Sequence, residues 1–351
     1  MRSRAATKPQ MALSRLGVMP QLSLPKLLVI AAVVVAGGAA IGVTAVSALD
    51  ANSACDYPVA PGGASALVSA IVNPEAMSEV AFPTPLITTG QEMSVVFPGE
   101  GEQAQQGDVI DFDVSVFVGS DGQFLTGSSY DPANPVRRVI DNTGDDFFAS
   151  VLECQRPGAQ VVMTSPIVEV FGSIEGDDYV SNDSTIVLVI DVHQTYPSRA
   201  EGSPRLPQSG MPTVVQAPSG EHGLSFPNAP IPTELRVSVL KQGSGPLLAD
   251  GDVMVANLTA AVWNTRTIFF SSFDIGVPLA LLVTDKSQSA SGEGIVAGLA
   301  QALIGQSVGS QILISVPPEL GYAPGTAPAG VSDGSTLVYV IDILGLAAKR
   351  S

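Results

Sequence analysis

Aromatic side chains are scarce in this chain: one tryptophan, Trp263, and an aromatic fraction of 5% across 351 residues. Any pocket must therefore be walled mostly by aliphatics. Histidine is scarcer, with only His193 and His222, and there are two cysteines, Cys55 and Cys154. These four share no metal-ligand spacing, so neither a metal nor a cofactor is expected. Both histidines are read as solvated. Basic residues are outnumbered, 16 Lys and Arg against 33 Asp and Glu, for a formal net charge of −17. That balance excludes a basic nucleic-acid footprint. The acidity is read as a source of solubility rather than as the mark of a cationic partner.

What is present begins at the N-terminus. Residues 27–48 are 22 consecutive uncharged residues, preceded by Arg2, Arg4, Lys8, Arg15 and Lys26, with no acidic residue before Asp50. A positive flank, an apolar run and a small-residue end make an export signal. Val46-Ser47-Ala48 would suit a signal peptidase, and the run is also long enough to span a bilayer. Cleaved signal and retained anchor both stand. A lipid-modified Cys55 fits less well, because Asn52 stands where an aliphatic is expected. In each case most of the chain is extracytoplasmic, secreted or anchored at the outer face of the membrane. Membrane contact is then confined to residues 27–48, if they are uncleaved. Outside the cytoplasm Cys55 and Cys154 are expected to be bridged, tying the start of the mature chain to the first domain.

The chain repeats itself. Phe82-Pro83 and Gly107-Asp108-Val109 recur 144 residues later as Phe226-Pro227 and Gly251-Asp252-Val253. Further on the offset is 151: Gly158 matches Gly309, Pro166 matches Pro317, Phe171 matches Tyr322 and Thr185 matches Thr336. A period this long means two domains, not a solenoid. The expected organisation is a basic segment 1–26, signal or anchor 27–48, extended tether 49–79, first domain 80–195, a Pro/Gly/Ser-rich linker 196–233 and second domain 234–348. The linker's composition favours extended chain over packing.

Within the second domain, residues 235–242, Val253–Val262, 268–271, 279–283, Gln311–Val316 and 335–344 carry the strand signature. Met254, Ala256, Leu258, Ala260 and Val262 share one face. Ile295, Leu299 and Leu303 have helical spacing, with Gly305 as the stop. Several strands around one short helix indicate an α+β fold, an antiparallel sheet wrapped on that helix. Tyr322 sits in a loop of small residues, where an aromatic can hang over a cavity.

Three motifs then carry a resemblance. Gly298-Leu299-Ala300-Gln301-Ala302-Leu303 with Ser307-Val308-Gly309, the Pro317-Pro318 turn with Gly321-Tyr322, and the strand 335–344 together resemble the C-terminal half of FKBP-type peptidyl-prolyl cis–trans isomerases. Phe269-Phe270-Ser271-Ser272 resembles the family's F-D-S-S. The resemblance covers residues 235–346 and, more weakly, 93–192. It implies two FKBP-like domains. It also implies an isomerase, or rotamase, that assists the folding of proline-containing secreted polypeptides.

Carried across, Tyr322 matches the tyrosine whose hydroxyl bonds the ligand, Val296 the residue whose backbone N–H meets the substrate carbonyl region, and Phe269 a pocket wall. Leu258, Phe270, Leu279, Leu299, Val331 and Tyr339 complete the substrate-binding lining. Leu299 replaces a tryptophan floor, Leu258 a tyrosine, Phe270 an aspartate, and Ala327 a histidine common in the family. In the first domain Phe148 takes the floor and Phe171 the tyrosine position, with Val180 and Leu188 as walls and Thr126 nearest the acid. That copy is read as degenerate. No bond breaks when an X–Pro amide rotates, so the lack of a Ser/His/Asp set or carboxylate pair is consistent with this activity. A tandem module that binds proline-containing chains without turnover is the alternative, and Phe270 at the acid position is the feature that separates the two.

Overall fold

The computed structural model describes residues 59–73, 76–141, 147–174, 179–289 and 291–347. The 27–48 run, the 1–26 segment and Cys55 lie outside them. Among the described residues no helix is long and apolar enough to cross a membrane. Cys154 is disulfide-bonded.

The first domain begins with a hairpin, β1 (Ser69–Ile71) on β2 (Glu79–Ala81). Its main sheet comprises β3 (Glu92–Pro98), β4 (Val109–Val118), β5 (Phe124–Gly127), β6 (Val136–Val139), β7 (Ala159–Pro166) and β8 (Thr185–Tyr196). Helix α1 (Phe147–Leu152) packs on that sheet, and a second short helix, α2 (Ile167–Phe171), follows β7. Between the domains run β9 (Ser203–Pro204) and a second hairpin, β10 (Thr213–Gln216) on β11 (His222–Ser225). The second domain has β12 (Arg236–Gln242), β13 (Val253–Val262), β14 (Thr267–Ser271), α3 (Ser272–Ile275), β15 (Leu279–Leu282), α4 (Ala297–Leu303), β16 (Gln311–Val316) and β17 (Leu337–Leu346).

Both sheets are antiparallel and share one order. The first runs β3-β7-β8-β4-β5 and the second β12-β16-β17-β13-β14, with β6 and β15 as extra partners of β4 and β13. Alternation along the central strands decides the faces. Met254, Ala256, Leu258, Ala260 and Val262 of β13 meet Leu337, Tyr339, Ile341 and Ile343 of β17 in one apolar cluster under α4. The matching cluster of the first domain gathers Ile110, Phe112, Val114, Val116 and Val118 with Ile186, Leu188 and Ile190.

The opposite faces are covered too, and this corrects the expectation of a sheet wrapped only on a helix. Leu313, Val338 and Val340, on the far side of the second sheet, are buried with Trp263 and Met211 beneath Val214, Leu224 and Phe226 of the preceding segment. In the first domain Val162, Val187 and Val189 are covered by Val68, Ala70, Val80 and Phe82. Residues 59–73, 76–79 and 196–233 therefore pack rather than extend. Their short strands put alternate apolar residues inward, and that gain outweighs a Pro/Gly/Ser composition.

The repeat reaches further back than its first sequence match. β1–β2 and β10–β11 stand 144 residues apart, and Ser78 of one aligns with His222 of the other. His222 is buried, not solvated. Its Nε2 lies 3.4 Å from Asp342 Oδ1 and its ring meets Phe273 edge-on at 5.3 Å. Asp342 also accepts from Gln311 Nε2 (2.7 Å), Gln216 Nε2 (3.1 Å) and the Ala200 amide (3.2 Å). In the first domain Asp191 accepts from Gln160 Nε2 (2.8 Å), Ser78 Oγ (3.1 Å) and the Tyr130 hydroxyl (3.0 Å). His193, the other histidine, is about one-third exposed and bonds Asp113 at 2.7 Å.

The domains touch directly. Val109 and Tyr196 of the first pack on Val255 and Leu344 of the second. The Tyr196 hydroxyl donates to Asp111 Oδ2 (3.1 Å), whose carboxylate is held by both Nε and Nη2 of Arg137 at 2.7 Å. Residue 345 is glycine because a Cβ there would meet the Tyr196 ring at 2.5 Å.

Candidate prolyl-binding site

The nine residues named from sequence come together. Leu258, Leu299 and Tyr339 are buried in the α4-side cluster, and Phe269, Phe270, Leu279, Val296, Tyr322 and Val331 are partly buried against it. Each element places its share for a local reason. Leu258 and Tyr339 sit on inward positions of β13 and β17, with Tyr339 registered between Ala260 and Ile314. Leu299 is on the inner face of α4, whose buried residues are Gly298, Leu299, Ala300, Ala302 and Leu303.

Val296 is extended (φ −61°, ψ 148°) and is the N-cap of α4. Its carbonyl accepts from the Leu299 and Ala300 amides, and among the described residues its own N–H makes no hydrogen bond. An orphan N–H at a helix start is an available donor.

The Phe269–Ser272 motif divides its labour. Phe269 and Phe270 pack on the site cluster. Ser271 caps α3, its Oγ accepting from the Phe273 amide at 3.3 Å. Ser272 Oγ accepts from the Leu258 amide (3.1 Å) and donates to Asn257 Oδ1 (3.2 Å), fixing the strand that carries Leu258. Ser128 repeats this role in the first domain, bonding the Val114 amide (3.0 Å) and Asp113.

Tyr322 follows a 3-10 turn, Pro318–Leu320. It lines a shallow open recess with Val331, Ala327, Leu337, Ser332 and Ser335. Asp333, also on its wall, accepts from the Gly325 amide at 3.0 Å and pins the loop. The Tyr322 ring packs against the cluster that holds the buried Tyr339.

Residues 245–344 match the family model for FKBP-type peptidyl-prolyl cis-trans isomerase. The C-terminal domain is of the FKBP type. An FK506-binding protein of Streptomyces anulatus is 25% identical over 122 residues, 34% of this chain and 93% of that one. FkpA of Escherichia coli, an FKBP-type peptidyl-prolyl cis-trans isomerase, is 28% identical over 112 residues, 32% of this chain and 37% of that one. Among solved structures, the three FKBP domains of wheat FKBP73 align with 73% of this chain and 94% of theirs, at 15% identity and a TM-score of 0.31. The matched segment excludes the hairpin β10–β11 and also strand β12, which belongs to the same sheet.

In the first domain the equivalent residues pack in its own cluster. Phe148 is buried, stacked on Phe112 at 5.6 Å between centroids and met edge-on by Phe147 at 5.3 Å. Val180 and Leu188 are buried in the same cluster and Phe171, the last residue of α2, packs against it. Thr126 lies on β5 opposite Val116. Among the described residues no group of three or more His, Cys, Asp or Glu could hold a metal ion.

The two Gln–Asp pairs were missed from sequence. Both are separated by 31 residues, Gln160 to Asp191 and Gln311 to Asp342. The 151-residue offset carries one pair onto the other, which was the available signal.

Proposed function

We propose that this protein is an exported peptidyl-prolyl cis–trans isomerase that acts on proline-containing secreted polypeptides through its second domain. The observation that carries the reading is the position of Tyr322, which packs against the apolar cluster that holds or borders the other eight residues and lines an open recess with Val331. Rotation about an X–Pro bond faces a barrier of roughly 20 kcal/mol. The twisted amide loses resonance and part of its dipole, so an apolar wall that strips water favours it over the planar ground state. The free N–H of Val296 and the hydroxyl of Tyr322 orient the peptide while Phe269, Leu299 and Val331 hold the ring. Support for export comes from the 27–48 run and its basic flank, together with the bridged state of Cys154, which suits an oxidising compartment.

The test is isomerisation of a proline tetrapeptide by the full chain. Turnover is expected in the wild type, to fall about tenfold in Tyr322→Phe, the loss of one oriented donor, and to be unmoved in Phe171→Tyr. A second reading, a binding module, is favoured by Phe270 at the acid position. It replaces the first if the wild type binds the peptide without turnover while Phe270→Asp turns it over.

A further inference from the structure

β3 and β12 hold the same place in the two sheets, 144 residues apart, but only β12 has a strand beyond it. β9 pairs with β12, with Ser203 and Pro204 opposite Gln242 and Lys241, and the Arg205 amide donates to the Leu240 carbonyl at 2.8 Å. No residue of β12 is exposed. Lys241 Nζ donates to the Ala200 carbonyl (2.9 Å) and to Gln216 Oε1 (3.0 Å), so the charge on this edge is satisfied.

In the first domain the preceding chain covers only the start of β3. The Met93 amide donates to the Ala60 carbonyl (3.1 Å), and Glu92 Oε2 accepts from the Ala64 and Ser65 amides (2.7 and 3.0 Å). From Val95 onward β3 is paired, among the described residues, with β7 alone. The Val96 carbonyl, equivalent to that of Leu240, accepts no backbone hydrogen bond from outside the sheet among those residues. Val95, Val96 and Phe97 are 36%, 41% and 50% exposed, and Pro98 is exposed beside them. Phe97 stands where β12 has Lys241. Four consecutive exposed apolar residues on an unpaired edge are a template for another strand. Both strands bulge at this point, at Val96 and at Leu240, and the bulge in β12 does not keep β9 from pairing.

We infer that the Val95–Phe97 edge is a second peptide-binding site, which takes an extended, proline-containing segment of a client polypeptide as an added antiparallel strand. The occupant follows from β9, which is itself such a segment: Ser203-Pro204-Arg205-Leu206-Pro207 is seated on the equivalent edge. Pro204 is tolerated there because hydrogen-bonded pairs alternate along an antiparallel ladder, and the bond from Arg205 leaves its neighbour without a need to donate. A second copy of β3 fits less well. Antiparallel pairing about Val96 would set Glu92 against Glu100, and like charges opposed across strands are destabilising. Main-chain bonds would supply the affinity, and the three apolar side chains the preference for apolar neighbours. Pro98, which has no N–H, ends the site. The inference rests on the client class of the proposed function and adds a holding site on the domain that lacks the Tyr322 hydroxyl.

The probe is a fluorescein-labelled nonapeptide with the sequence of residues 200–208, titrated into the full chain and read by anisotropy. Hydrogen exchange with mass spectrometry reads the backbone in parallel. Saturable binding is expected, with slowed exchange at residues 95–97. A Val96→Lys, Phe97→Lys double variant, its fold checked by thermal melting, is expected to bind at least about tenfold more weakly. Should that variant misfold, the exchange pattern of the wild type decides. No binding, binding without slowed exchange at 95–97, or an unmoved affinity in a folded double variant overturns the inference. Slowed exchange at β3 in concentrated protein without peptide also overturns it, because a second copy is then the occupant. Tetrapeptide turnover is measured separately. Its absence strikes the isomerase reading, and slowed exchange at 95–97 with the peptide then still upholds the edge site.

Discussion

The two domains share a strand order and differ in where they keep their polar groups. The second has hydroxyls on the helix side of its sheet, at Tyr322 and Tyr339, and a largely apolar outer face with one Gln311–Asp342–His222 cluster. The first has an apolar helix side, closed by Phe148 on Phe112. Its outer face carries Asp111, Asp113 and Asp191, paired with Arg137, Ser128, His193 and Tyr130. The frame thus tolerates polar groups on either face. The hydroxyls at Tyr322 and Tyr339 occur in one copy, whereas the strap and the buried Gln–Asp pair occur in both. The covering hairpin belongs to the repeated unit, and the two hydroxyls do not.

The largest effect expected from this comparison comes from removing a strap. A chain trimmed to begin at Thr233 would re-expose Trp263, Leu313, Val338 and Val340. At about 1.5 kcal/mol or more for each large apolar side chain the loss is about 6 kcal/mol, near the whole stability of an ordinary domain. Thermal or urea unfolding of this fragment against one beginning at Tyr196 measures it. Equal midpoints would remove the strap from the folding unit.

Next comes the buried carboxylate. Asp342→Ala leaves Gln311 without its acceptor and removes the carboxylate 3.4 Å from His222 Nε2, and the second domain should lose about 3–5 kcal/mol by denaturant titration. Burial raises the Asp342 pKa, but His222, Gln311 and the Ala200 amide outweigh it and hold it below the ordinary 3.8. A depressed carboxylate stabilises the fold fully above that ordinary value, and the contribution is lost as pH falls through the lower folded value. Asp342→Asn should flatten acid unfolding of the second domain in that window. An unchanged acid midpoint would show that the cluster does not set it.

The smallest effect separates the ends of α1 and α4. Cys154 holds a left-handed φ of +70° where the second domain has Gly305 at +85°. Cys154→Gly relieves about 1 kcal/mol of backbone strain and forfeits a bridge that contributes about 2–4 kcal/mol. The variant should therefore be less stable than wild type under oxidising conditions by about 1–3 kcal/mol and more stable under reducing ones. Melting temperatures with and without reductant test the change of sign.

Much of this was legible beforehand, and the reasons are physical. The inner face of β13 was given by strict alternation, α4 by its i, i+4, i+8 spacing, and its stop by Gly305. The lining proposed for the site rests on motif resemblance, because residues such as Leu299 and Val331 carry no signal of their own. The straps were missed because four-residue strands between Pro, Gly and Ser leave too short a pattern. His222 was misjudged because residue type alone predicts solvation, whereas Asp342, 120 positions away in sequence, supplies its partner only after folding.

One feature of the sheets reaches beyond packing. β17 is bonded on one side to β13 and on the other to β16, and both of its faces lie under cover. No partial opening uncovers such a strand, so its amide protons exchange with solvent only when the whole domain unfolds. Tyr339 and Asp342 stand on it three residues apart. The wall of the candidate site therefore belongs to the slowest-exchanging part of the molecule, and local motion at the site is left to the loop that carries Tyr322.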